Sequence, residues 1–264
     1  MNNSEEICRS CNTIITENYC ANCGQRRFRR IDRGYVLDEF RSIFIASNKG
    51  FFYTLRKLIQ NPGKTAREYI QGNRQKHYKP ILLSLLLATI AAFISFQLMD
   101  MEKMMNELPT STGDMPTETF MEGYMGIIKN YYSLMMVGII PLFALASWMG
   151  FKKYGDNYYE HIVANAFFQS LYTLVTMFLY PFYYFFSENT KVIMLISSLV
   201  FVIAIPLYLW FMFGFYADKK RSSVAKRVLL TISIIIVFFG ILFVILTVLF
   251  TVFLIIFKPK LFEK

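Results

Sequence analysis

Val192–Tyr216 reads VIMLISSLVFVIAIPLYLWFMFGFY, 25 residues without an Asp, Glu, Lys or Arg. A helix rises about 1.5 Å per residue, so about 20 apolar residues cross the hydrocarbon core of a bilayer. A helix buried on one side in a soluble protein would show a charged face, and this one has none. Four further runs share that character: Pro80–Met99, Tyr131–Phe151, Ile162–Phe186 and Val228–Phe257. Working outward from them, the 264-residue chain is 55% hydrophobic and 17% aromatic, with mean hydropathy +0.38 and formal charge +10. This composition excludes a disordered chain, a collagen-like fibre and a disulfide-dense secreted domain. The expected fold class is an all-α polytopic membrane protein of five transmembrane helices behind a small N-terminal zinc ribbon. The expected divisions are a head at 1–27, a basic collar at 28–79 and a bundle at 80–264.

The last run has 30 residues, about 45 Å of helix, more than a bilayer core needs. It is expected to tilt, to emerge from the bilayer or to bend near Gly240, and it is retained as one span. Pro141, Pro181 and Pro206 each interrupt a different run and are expected to kink it, because proline removes a helix hydrogen bond.

Lys and Arg in the connections orient such a chain, since cytoplasmic loops collect them. Residues 1–79 carry 15, residues 152–161 carry two and residues 217–227 carry five. The connections on the other face carry six in all. The expectation is a multi-pass membrane protein with a cytoplasmic N-terminus and, for five spans, an external tail. Met1–Glu6 is polar and acidic, so no cleavable signal and no lipidated Cys8 are expected.

All four cysteines fall in the first 23 residues, as Cys8-Arg9-Ser10-Cys11 and Cys20-Ala21-Asn22-Cys23. Two C-x₂-C pairs with eight residues between them suit one tetrahedral Zn²⁺ held by four thiolates, a closed and therefore structural site. Asn12 and Gly24 follow the two pairs, and both residue types tolerate the left-handed backbone such turns need. Thr13–Thr16 and Tyr19 favour strands, with Glu17-Asn18 as the expected hairpin turn. Iron or redox chemistry is the alternative to zinc. Disulfides are disfavoured by the cytoplasmic placement.

Between head and first span, Val36, Leu37, Phe40, Ile43, Phe44 and Ser47 recur at helical spacing. Phe51, Phe52, Leu55, Leu58 and Ile59 repeat the pattern, and a third short helix is expected over Lys64–Gln71. Basic, Phe-rich amphipathic helices suit an interface with anionic lipid headgroups, with Arg74, Lys76, His77 and Lys79 as candidate headgroup contacts. Nucleic acid ranks well below lipid as a partner, because basic flanks occur on membrane proteins for topological reasons alone.

Two stretches resemble an uncharacterised bacterial membrane family with an N-terminal zinc ribbon followed by several transmembrane helices. They are Tyr19-Cys20-Ala21-Asn22-Cys23-Gly24-Gln25 and Asn61–Arg74, the latter followed by Tyr78 and Pro80. The resemblance implies this architecture and no established activity.

Within the membrane runs, His161, Asn165, Gln169, Tyr172 and Thr176 form one polar stripe along a helix. Such a stripe serves interhelical hydrogen bonding or a path for a small solute or ion. There is no H-E-x-x-H, G-x-S-x-G or P-loop, and the chain has two histidines, 77 and 161. The expectation is a non-enzymatic membrane protein whose head docks a cytoplasmic protein partner, with a transporter or channel using the stripe as runner-up.

Overall fold

The computed structural model describes residues 6–27, 30–35, 50–98, 117–186 and 189–261. The amphipathic segment Val36–Ser47, residues 99–116 and Lys264 lie outside the described residues.

The head contains two short strands, β1 (Glu6–Ile7) and β2 (Ile14–Ile15), paired antiparallel with Ile7 opposite Ile14. A second bridge joins Tyr19 to Arg26. Each pairing thus brackets one C-x₂-C turn. The expected hairpin about Glu17-Asn18 does not form; those residues link two smaller hairpins, because each cysteine pair makes its own chain reversal.

Two helices form the described part of the collar, α1 (Phe51–Gln60) and α2 (Pro62–Ile70). Asn61 separates them and caps α2, accepting from Lys64 N–H at 3.2 Å, with Pro62 in the first turn. In α1, Thr54 and Leu58 are buried while Phe52 and Ile59 are exposed beside Arg56 and Lys57. In α2, Pro62, Gly63, Thr65, Ala66, Tyr69 and Ile70 are all buried. The burial of α2 comes from the bundle itself. A Cβ on Gly63 would collide with backbone atoms of Phe211 and Phe215, so a glycine is needed for the helices to cross at this distance.

The apolar runs fold as α3 (Pro80–Leu98), α4 (Thr117–Gly138), α5 (Ile140–Phe151), α6 (Tyr158–Met177), α7 (Tyr180–Phe185), α8 (Thr190–Phe215) and α9 (Arg221–Leu261). Among the described residues, four stretches are long and apolar enough to cross a membrane: Asn130–Tyr154, Tyr158–Phe185, Lys191–Phe215 and Arg221–Leu249. Pro80–Phe96 is a shorter apolar helix. The segment from Thr119 to Lys129 is helical and continuous with the run that follows it. Pro141 and Pro181 stand at the α4/α5 and α6/α7 breaks, whereas α8 continues through Pro206. The final helix runs unbroken through Gly240.

The central helix is α6. It packs on α3 and α5, and α2 lies across it and α8. Asn157 opens it with a capping box: its side chain accepts from Glu160 N–H at 2.9 Å, and Glu160 accepts from Asn157 N–H at 2.8 Å. Tyr69, Phe151, Phe167, Phe211, Met212 and Phe215 meet in the core where collar and bundle join. The described parts of the three connections that collect Lys and Arg, within residues 1–79, 152–161 and 217–227, share this end of the molecule, here termed the basal end: Arg30 reaches Glu160, and Tyr154 meets Ser223 at 2.8 Å.

Candidate functional site: a four-cysteine centre and the polar basal end

Both cysteine pairs adopt the same turn. In the first, Asn12 N–H donates to Cys8 O at 2.9 Å and Cys8 N–H to Thr13 O at 2.8 Å. In the second, Gly24 N–H donates to Cys20 O at 2.9 Å and Cys20 N–H to Gln25 O at 2.7 Å. Asn12 (φ 60°) and Gly24 (φ 70°) occupy the left-handed region, as their positions in the sequence require.

The two turns face each other. Cys8 Sγ lies 3.6 Å from Cys23 Sγ, Cys11 Sγ lies 3.5 Å from Cys20 Sγ, and all four sulfurs fall within 4.8 Å of one another. A tetrahedral metal with bonds of about 2.3 Å separates its sulfurs by roughly 3.8 Å, so the set fits one ion. No disulfide forms among the four. As free thiols they are poorly matched: hydrogen bonds from Thr13 lower Cys11, while desolvation raises Cys23. A cation among them would let all four ionise together. Arg27 pairs with Glu6 at 2.9 Å and so ties the second turn to the first strand.

The basal end carries a second constellation, which the sequence reading missed. Arg67 of α2 grips Asp156 with two hydrogen bonds, 2.6 and 3.1 Å, and donates to Phe215 O at 3.0 Å. Its guanidinium stacks on the Phe215 ring at 3.8 Å. Burial pushes the Asp156 carboxyl up, but the hydrogen bonds and charge of Arg67 outweigh it and hold it below the usual carboxylate range. Arg30 similarly clasps Glu160 at 3.0 and 3.2 Å and donates to Gly155 O at 2.9 Å. The sequence contains these residues but no local spacing that pairs them.

The structure divides the polar stripe. His161 Nδ1 lies 3.0 Å from Ser147 Oγ, and Asn165 donates to the same oxygen at 2.8 Å and to His161 O at 2.8 Å. These two residues are buried. Further along, Gln169 reaches Met136 Sδ at 3.7 Å, Tyr172 donates to Val200 O at 3.3 Å, and Thr176 returns to Thr173 O at 3.0 Å. Each thus bonds to a different neighbour.

The four candidate headgroup residues also part company. His77 is turned inward, 4% exposed, against the rings of Tyr53 and Tyr69. This corrects its assignment as a headgroup contact: an imidazole flanked by aromatic rings at the foot of α3 is packed rather than presented. Arg74 stacks over Tyr35 at 4.4 Å, and Lys76 donates to Ser10 O at 2.6 Å. Lys79 is partly exposed and its carbonyl receives Leu83 N–H in the first turn of α3.

No curated protein and no solved structure matches the chain. A family model described as a protein of unknown function (DUF3667) matches residues 48–93, the stretch holding α1, α2, the loop after them and most of the first apolar run.

Proposed function

We propose that the chain is a non-enzymatic, multi-span protein of the bacterial inner membrane whose cytoplasmic head binds structural Zn²⁺ and docks a protein partner. Five spans, with α3 as the first, place the N-terminus inside and the tail outside. The meeting of the three Lys- and Arg-rich connections at one end supports that sidedness. Thiolate softness and tetrahedral spacing favour zinc, with iron as the competing metal. Phe52 and Ile59, exposed beside Arg56 and Lys57, suit contact with anionic lipid.

The observation that carries the docking reading is the outer surface of the head. Its buried core consists of Cys8, Ile15 and Cys20. On the outside, the cross-strand pair Ile7 and Ile14 is 61% and 51% exposed, and Tyr19 is 58% exposed. Large apolar side chains displayed on so small a rigid module suit burial against another protein. Crosslinking pull-downs on full-length protein test this. An Ile7→Asp, Ile14→Asp variant that still holds metal should lose specific partners, as should Cys20→Ser, Cys23→Ser. Partner profiles identical to wild type in both variants would remove the docking role and raise transport along the stripe, which an uptake screen on a deletion strain would then address.

A further inference from the structure

Three polar contacts fasten the head to the loop leading into α3. The Gln25 side chain, from a residue 4% exposed, uses both ends of its amide on that loop: Nε2 donates to Gly72 O at 2.6 Å, and Oε1 accepts from Gln75 N–H at 2.6 Å. Lys76 donates to Ser10 O at 2.6 Å. Both head residues belong to the metal turns. Ser10 lies between Cys8 and Cys11, and the Gln25 carbonyl closes the second turn by accepting from Cys20.

The chain then continues from the head to the mouth of α6. Ile31 is wholly buried in the main core, and its carbonyl accepts from Asn157 Nδ2 at 2.8 Å. Arg30 beside it holds Glu160 and Gly155. The described residues between 6 and 35 therefore connect loop 72–76 with the start of the central helix. A three-residue core is too small to shape the head, whereas a Cys₄ metal supplies folding free energy directly.

We infer that the four-cysteine centre is an intramolecular latch: metal loading shapes the two turns that present Gln25 and Ser10 to residues 72–76, and so holds the N-terminal strap across the basal end. Gln25 is the positioning residue, and metal loss frees the loop before α3. The inference rests on the metal reading of the four cysteines and is independent of any protein partner.

The test uses full-length protein in detergent, with bound metal measured by elemental analysis and hydrogen exchange followed in peptides spanning 72–78. The Gln75 amide is the reporter, since it donates to Gln25. Zinc-loaded wild type should protect it. Chelated wild type should exchange it on the order of ten-fold faster, as expected for loss of one hydrogen bond. Gln25→Ala keeps the backbone carbonyl that closes the second turn, so it should retain metal yet exchange as fast as the chelated protein. A loaded wild type whose Gln75 amide ignores chelation, or a Gln25→Ala protein as protected as wild type, overturns the latch. A wild type that takes up no metal removes the metal reading and the latch together.

Discussion

The basal and far ends of the bundle are held by different kinds of contact. At the basal end, Arg67–Asp156, Arg30–Glu160 and Asn157–Ile31 join segments far apart in sequence through directional bonds. Toward the far end, α8 and α9 expose long rows of Leu, Ile, Val and Phe, and only 11% of each spanning window is buried, against 50% for the window over α6. Polar contacts there are single, as between Tyr183 and Ser197 at 3.1 Å. Apolar surface suits lipid in almost any rotation of a helix, so it sets where a helix lies along the membrane normal and little else. Paired charges in a partly buried place tolerate one arrangement, because an unpaired charge left there is costly. The head, collar and turns are thus keyed to one another where the molecule is charged.

If that contrast is right, the largest effect belongs to Asp156. Asp156→Ala leaves the Arg67 guanidinium without its carboxylate in a mostly buried site, and should cost about 3–5 kcal/mol. Thermal unfolding in detergent would measure it, and Arg67→Met combined with Asp156→Leu should recover most of the loss. A cost below about 1 kcal/mol would place this pair among exposed ion pairs and erase the distinction.

A smaller, pH-dependent effect comes from His77. Burial, reinforced by the charges of Lys57 and Lys76, lowers it from 6.5 to about 4, so it is neutral in the folded protein near neutral pH. The unfolded chain takes up that proton below about 6.5, the folded one only near 4. The stability it contributes is therefore complete above pH 6.5 and is lost as pH falls from there towards 4. His77→Phe keeps a ring between Tyr53 and Tyr69 and should flatten the decline between pH 6.5 and 5. An unchanged slope in the variant would assign the decline to other groups.

The smallest effect is expected within the stripe. Gln169→Leu removes one long contact to Met136 and should cost no more than about 0.6 kcal/mol. Asn165→Leu removes two 2.8 Å bonds from a buried position and should cost distinctly more. Equal costs would mean that the stripe is uniform after all.

Some of this was legible residue by residue. Asn12 and Gly24 announced the two left-handed turns, because no other local demand explains both after a C-x₂-C pair. Pro141 and Pro181 marked real helix breaks, whereas α8 absorbs Pro206 without one. No hairpin forms at Glu17-Asn18, because each cysteine pair closes its own strand pair, which turn propensity alone does not reveal. His77 looked interfacial because its sequence neighbours are charged, yet its ring is directed inward by the turn after α2.

Hydropathy, cysteine spacing and charge distribution are properties of short windows, and the amino-acid sequence by itself determined what depends on them: the apolar helices, the four-cysteine cluster and the grouping of basic connections. Tertiary structure alone decided which partners meet. Arg67 and Asp156 stand 89 positions apart, and Gln25 and Gln75 stand 50 apart. Nothing local distinguishes Asp156 from other acidic residues, or Gln25 from other glutamines. Their roles arise because α2 crosses α8 closely at Gly63 and lies against α6, which sets Arg67 beside Asp156, and because the head folds back onto the loop before α3.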